Sequence, residues 1–408
     1  MDENFPWSFD DAQQTHVWLT PHFSPSPKPL NRQVGACPPR KGTTDEKCAE
    51  SAAKFAVIHW PLAIDGVIVY DIQDEAGRTT DPRPFPFRPT VDPSGYGKLL
   101  AEATGKACVI YKSVGEPSVA AFDEWLDKCE GSHGHTGLNL VGAATSKREI
   151  PGPTLADAAG RVGTRPRMAF GGVTIAERHT AKGNEHLNIQ RKVDLGAQWF
   201  ISQCCYDAGA TIRLLNDYGD LCKARGTVPK KVVLTFAPCG RRKTMSFIKW
   251  LGVSVPAEVE AEILAGAPLD ADKPAIKDVQ AASRKSVDVC VGLLVAQLGA
   301  IISATGSSGV PLGVNVESVS GYMEECSACT TLFHALQHKL LSHTQRTWSI
   351  RWVVPMPPAP RVPVAAAADK DGALPLALPT RQPAAVQLLA AAAAGALLVV
   401  VGGQLRKR

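Results

Sequence analysis

The sequence predicts an α/β fold, a (β/α)8 barrel of the TIM type, and three observations predict it. Eight short apolar runs of β type recur between residues 33 and 316. Helical stretches lie between most of them, the alternation that builds a parallel sheet. No GxGxxG follows the first run, so a doubly wound dinucleotide fold is disfavoured against a closed barrel.

In order, residues 1–31 are rich in Pro, Asp and Ser and read as an irregular arm, with Trp7 and Trp18 as docking anchors. The barrel is expected over residues 32–345. Its strands are 33–37 (QVGAC, ended by Pro38-Pro39), 66–72 (GVIVYDI), 107–111 (ACVIY), 138–143 (LNLVGA), 168–175 (MAFGGVTI), 198–202 (QWFIS), 231–236 (KVVLTF) and 312–316 (LGVNV). Helices are expected at 47–59, 96–103, 118–128, 154–161, 185–195 and 210–223. A longer passage at 246–302 separates the last two strands, and a helix at 322–341 closes the set. Residues 346–383 are dominated by Pro and Ala and read as an extended linker. Residues 384–403 form an apolar stretch whose one polar side chain before Gly402 is Gln387, followed by Arg406-Lys407-Arg408. At 1.5 Å per residue it reaches about 30 Å, enough for a single transmembrane helix. The expectation is a tail-anchored protein with its barrel in the cytosol, the basic tip suiting an organelle outer membrane better than the secretory route.

Net charge is +5 and Lys and Arg form no long basic run, so nucleic acid is not an expected partner. The N-terminus (MDEN) is acidic, unlike a signal peptide. Eleven cysteines without regular spacing read as reduced thiols. Cys326 and Cys329 form a CxxC with no second pair at zinc-site spacing, and no metal is expected there.

In a barrel of this kind the site lies at the C-terminal ends of the strands. The residues there are Asp71, Gln73, Asp74, Tyr111, Lys112, Gly142, Ala143, Glu177, Arg178, His179, Gln203, Tyr206, Glu317 and Ser318. The most informative stretch is 167–207: a strand, a polar loop carrying Glu177 and His179, an amphipathic helix from about Asn184, and a second strand followed by Gln203. Together they make a βαβ crossover with its polar residues where such units place ligands.

That stretch resembles the flavin-binding core of the methylenetetrahydrofolate reductase family. Glu177 and His179 match the Glu and His after strand five. Glu185, Asn188, Arg191 and Lys192 match the acidic residue, Asn and Arg-Lys of the next helix. Lys192-Val193, Gly196-Ala197 and Ser202-Gln203 match the run and the strand end that follow. The resemblance implies the same barrel, FAD as cofactor and NAD(P)H as reductant. It further implies reduction of 5,10-methylenetetrahydrofolate to 5-methyltetrahydrofolate, a folate-type substrate. By the same resemblance His179, Glu185, Asn188, Arg191 and Lys192 would hold the ribityl, phosphate and adenosine end of FAD. Tyr70, Tyr111, Gly142 and Ala143 would surround the flavin ring, and Gln203 would hydrogen-bond pterin and nicotinamide. The cofactor carries the hydride chemistry and the protein positions it.

The sequence departs from the family pattern in three places. Gly35 stands where strand one carries the proton-donating Glu. Gly142-Ala143 lacks the Asp of the strand-four motif, and only Ser318 or Ser320 is near the position of the strand-eight Arg. Loss of the acid costs about 10² to 10⁴ in rate unless another group serves. Glu317, Glu75 and Glu177 are the candidates, with Glu317 taken as catalytic beside Gln203. The alternative is a non-catalytic or altered-substrate flavin- or folate-binding barrel at a membrane. A homo-oligomer is compatible with either.

Overall fold

In the computed structural model the eight strands are all parallel and close into one barrel in chain order. Residues 31–75, 79–115, 118–142, 151–266 and 276–347 are described. The strands are β1 Arg32–Ala36, β2 Gly66–Val69, β3 Ala107–Ser113, β4 Gly137–Val141, β5 Ala169–Thr174, β6 Trp199–Cys204, β7 Lys231–Phe236 and β8 Leu312–Val316. The helices are α1 Asp45–His59, α2 Pro93–Thr104, α3 Val119–Glu130, α4 Leu155–Gly163, α5 Ala176–Lys182 and α6 Glu185–Asp194. They continue with α7 Ala208–Arg225, α8 Arg242–Trp250, α9 Ala257–Leu264, α10 Ile276–Thr305 and α11 Met323–Thr347.

The expected (β/α)8 barrel is therefore present, with three local differences. The polar loop after β5 is a helix, α5, ended by Gly183 in the left-handed region at φ 64°. The passage 246–302 holds α9, most of α10 and the end of α8. Strand β6 continues through Gln203 to Cys204, across an irregularity in its pairing with β7. The arm up to Leu30, the linker from residue 348 and the helix expected at 384–403 lie outside the described residues.

Local signals explain where elements begin and end. Asp92 accepts hydrogen bonds from the Ser94 and Gly95 amides with Pro93 in the first turn, and α2 stops at Gly105, φ 65°. Thr154 and Asp157 form a reciprocal capping box on α4.

Each strand then divides its side chains between two layers. Val67, Val69, Cys108, Ile110, Leu138 and Leu140 join the large core between strands and helices. Their alternate neighbours Ile68, Val109, Tyr111, Ala169, Trp199, Ile201 and Val233 fill the barrel interior. Gly171 makes room for one of these: a Cβ there would lie 2.2 Å from the indole nitrogen of Trp199.

Among the described residues one stretch, Val279–Ser308, is long and apolar enough to cross a membrane by length and composition. Here it forms most of α10, which packs against α7, α9 and α11. Its Cys290, Leu294, Leu298, Ile301 and Ile302 are buried.

Candidate functional site

At the C-terminal mouth, Glu317 follows β8 directly and projects over β1. The Tyr70 hydroxyl, from the end of β2, donates a short hydrogen bond to its Oε2. Asn315 Nδ2 donates to the same oxygen at 3.3 Å and to the Tyr70 hydroxyl at 3.0 Å. The Cys204 thiol, from β6, lies 3.6 Å from Oε1. Tyr111, from β3, packs on Tyr70 with ring centroids 4.9 Å apart. Groups from β2, β6 and β8 thus converge on one carboxyl group, with Tyr111 of β3 packed behind Tyr70.

Burial pushes the Glu317 carboxyl above its ordinary value, while the bonds from Tyr70, Cys204 and Asn315 pull it back without overcoming the desolvation. The Tyr70 and Tyr111 phenols and the Cys204 thiol are pushed up as well, by burial first and by Glu317 second. The cluster therefore favours its protonated forms, and Glu317 can donate a proton at a pH where an exposed glutamate is already ionised.

Gly35 explains how this carboxyl fits. A Cβ at position 35 would lie 2.8 Å from Glu317 Cβ, 2.8 Å from Tyr70 Cε2 and 3.2 Å from Glu317 Oε2. The carboxyl on β8 thus occupies the space that a side chain on β1 would enter. Of the three replacement acids, Glu317 alone is placed there. Glu75 lies in the β2–α2 connection, and Glu177, on α5, accepts a hydrogen bond from the Ser254 amide at 3.0 Å.

Residues 79–92, between β2 and α2, run against α8 and the segment after β8. Phe85 packs edge-on against Phe247 of α8 at 5.2 Å and near Tyr322 at 6.2 Å. Trp250 Nε1 donates to the Asp81 carbonyl at 3.0 Å. Because α8 follows β7 and Tyr322 follows β8, the connection crosses the end of β1. Arg83 lies among the rings of Trp250, Phe247 and Phe87, at 4.9, 5.3 and 5.5 Å.

The residues matched to the phosphate and adenosine end of a flavin lie together beside β5. Glu185, fully buried, accepts from the Ile175 amide at 3.2 Å and from Asn188 Nδ2 at 2.8 Å. Arg191 donates to Asn188 Oδ1 at 2.7 Å, and its side chain is otherwise exposed. Lys192 lies across Gly172 and donates to the Val173 carbonyl at 2.5 Å, with burial lowering its pKa. His179 stands apart from this row: it is buried between α5, α6 and α7, with Nε2 2.8 Å from Asp217 Oδ2.

Gln203 is half-buried. Its Nε2 donates to the Leu251 carbonyl at 3.3 Å and its Oε1 accepts from the Cys204 amide at 3.2 Å. It lines a small cavity with Thr174, Glu177, Cys205 and Asp207 rather than contacting Glu317. Gly142 follows β4, with no atom within 4 Å of a Cβ built there. Ala143 lies outside the described residues. Ser318, near the position of the family's strand-eight Arg, donates to the Ser320 carbonyl at 2.9 Å.

Sequence reasoning missed Asn315, whose alternation with Glu317 was the available signal, and Cys204, which the irregularity in β6 after Ile201 takes out of strict alternation. It also missed Asn139, inward-facing on β4 between Tyr111 and Gly171, whose amide is fully buried with no hydrogen-bond partner.

No family model and no curated protein matches this chain. Among solved structures, it is similar to an uncharacterized protein from Clostridium thermocellum that binds two copies of 5-methyl-5,6,7,8-tetrahydrofolic acid. That similarity has 28% identity and a TM-score of 0.60, covering 76% of this chain and 94% of the other. Xylanase XynB from Paenibacillus barcinonensis is matched at 10% identity and a TM-score of 0.37, over 71% and 84% of the two chains. The oxygenating constituent of 3,6-diketocamphane monooxygenase from Pseudomonas putida, in complex with FMN, is matched at 13% and 0.37, over 77% and 97%. At these values neither of the latter two carries an argument about this chain.

Proposed function

We propose that this barrel binds a reduced folate at its C-terminal mouth and acts on it as a flavin-dependent reductase, with Glu317 as the proton donor. The observation that carries the reading is the overlap of Glu317 with the side-chain space of Gly35. The resemblance calls for an acid on strand one. Here a carboxyl from strand eight fills that volume, held by Tyr70, Asn315 and Cys204 and raised in pKa by burial. The folate-binding neighbour supports the ligand class.

The flavin is the finer part of the proposal. Arg191, exposed apart from its bond to Asn188, offers a planar fork for phosphate, and Gly142 leaves open space at the end of β4. Lys192 and Glu185 are committed to backbone groups, so their contribution is to hold β5 against α6. A bound flavin would supply the hydride. This chain's own residues would hold the proton on the Glu317 carboxyl, oriented by Tyr70, Asn315 and Cys204.

The test uses the purified full chain with FAD, NAD(P)H and a folate acceptor. Flavin absorbance should bleach with NAD(P)H and return on adding methylenetetrahydrofolate. Glu317→Gln should still bind folate, with turnover lowered about 10²-fold or more. Folate binding without flavin reduction would leave the barrel a binding protein. Absence of folate binding would end the proposal.

A further inference from the structure

His179, His186 and Asp217 come from three different helices, and no part of the folate reading uses them together. His179 belongs to α5, His186 to α6 and Asp217 to α7. One donor atom from each, an imidazole nitrogen from either histidine and a carboxylate oxygen from Asp217, lies within 4.8 Å of the other two. The two rings meet edge to face with centroids 5.1 Å apart. His179 Nε2 is 2.8 Å from Asp217 Oδ2, and the Nδ1 atoms of both histidines are buried without a hydrogen-bond partner.

We infer that this interhelical cluster is a binding site for a divalent transition-metal ion of the zinc type. Two imidazoles and one carboxylate form a donor set such ions take, with water completing a tetrahedron. Ligand atoms around tetrahedral zinc lie roughly 3.3 Å apart, from Zn–N and Zn–O distances of about 2.0–2.2 Å. The His179–Asp217 pair already lies inside that separation, and the remaining separations, all within 4.8 Å, need to close by at most about 1.5 Å.

The ligands that must move are the ones free to do so. Asp217 has 55% of its side chain exposed and His186 is half-buried, whereas His179 is 5% exposed and acts as the fixed anchor. The helices do not depend on the cluster for their approach: Arg213 of α7 donates to Thr180 Oγ1 of α5 at 3.2 Å. An ion there would cross-link α5, α6 and α7 on the flank of β5, stabilising the folded chain by mass action.

The experiment titrates the metal-free full-length protein with Zn²⁺ by calorimetry and with Co²⁺ by visible absorption. The expected result is one equivalent held at this cluster, with a four-coordinate Co²⁺ spectrum lacking thiolate charge-transfer bands. His186→Ala and Asp217→Asn should each weaken that binding by at least about tenfold. Each variant's melting curve without metal reports that it has folded. The inference is overturned if Co²⁺ shows thiolate bands at its tight site, if both variants bind like the parent, or if no equivalent binds.

Discussion

If the carboxyl of Glu317 truly occupies the place of a β1 side chain, the acid should be movable from one strand to the other. Gly35→Glu alone forces a side chain into space where its Cβ meets carbon atoms of Glu317 and Tyr70 at 2.8 Å. Overpacking of this kind costs about 1–3 kcal/mol, and a second carboxyl beside the first adds to it. Glu317→Gly alone removes the acceptor of the Tyr70 hydroxyl, Asn315 Nδ2 and the Cys204 thiol, and it leaves a void. Together these cost about 2–4 kcal/mol. In the exchange Gly35→Glu with Glu317→Gly, the obstacle at Glu317 Cβ disappears as the new carboxyl arrives, and Tyr70 is released to turn toward it. The double variant should be more stable than the sum of the single losses by about 1.5 kcal/mol or more, at the upper part of the range for touching residues. Urea unfolding midpoints of the four proteins measure this, and 1 kcal/mol corresponds to roughly 2–4 °C in melting temperature for a domain of this order. Penalties that add to within about 0.5 kcal/mol would refute the shared-volume argument.

Other expectations follow from the same packing. Gly171→Ala drives a methyl into the Trp199 indole and should cost about 3 kcal/mol or more, read from the shift of the urea midpoint. Glu325 is fully buried and accepts from the Gly240 and Arg241 amides and the Thr244 hydroxyl at 2.8, 3.1 and 2.9 Å, tying α11 to the start of α8. Glu325→Ala should therefore cost about 3 kcal/mol, and an effect below about 1 kcal/mol would contradict the bonding described. The Glu317 carboxyl has its folded pKa raised above the ordinary 4.5, so the folded chain binds its proton more tightly than the unfolded chain does. Its contribution is then fully present below the ordinary value and is lost as pH rises through the raised one. Comparing the pH dependence of unfolding in the parent and in Glu317→Gln isolates this share from Glu177, Glu325 and Asp71, whose carboxyls are raised in the same direction. A parent and variant with parallel pH curves would show that the group does not titrate as described.

The barrel was legible in the chain because its signals are local. Apolar runs such as GVIVYDI and KVVLTF carry enough β-forming side chains to mark a strand without knowing its neighbours, and alternation with helical stretches leaves few ways to close a sheet. Strand ends were less legible. Gln203 reads as a residue after a strand, yet pairing with β7 carries β6 through it to Cys204, and that pairing is not encoded in local hydrophobicity. The row Glu185, Asn188, Arg191 could be read because a helix brings residues three apart onto one face, where the structure finds them hydrogen-bonded in series.

The sequence by itself determined the fold class, the position of most elements and the list of polar residues at the strand ends. Only the tertiary structure decided which of them meet. Gly35 and Glu317 are separated by almost the whole barrel in sequence, and closure of β8 against β1 makes them neighbours within 3.2 Å. His179, His186 and Asp217 likewise lie on three helices whose approach depends on packing around β5 and β6. Local periodicity fixes which way a side chain leaves its own element, whereas contact across elements depends on the register and closure of the sheet, a property of the whole chain.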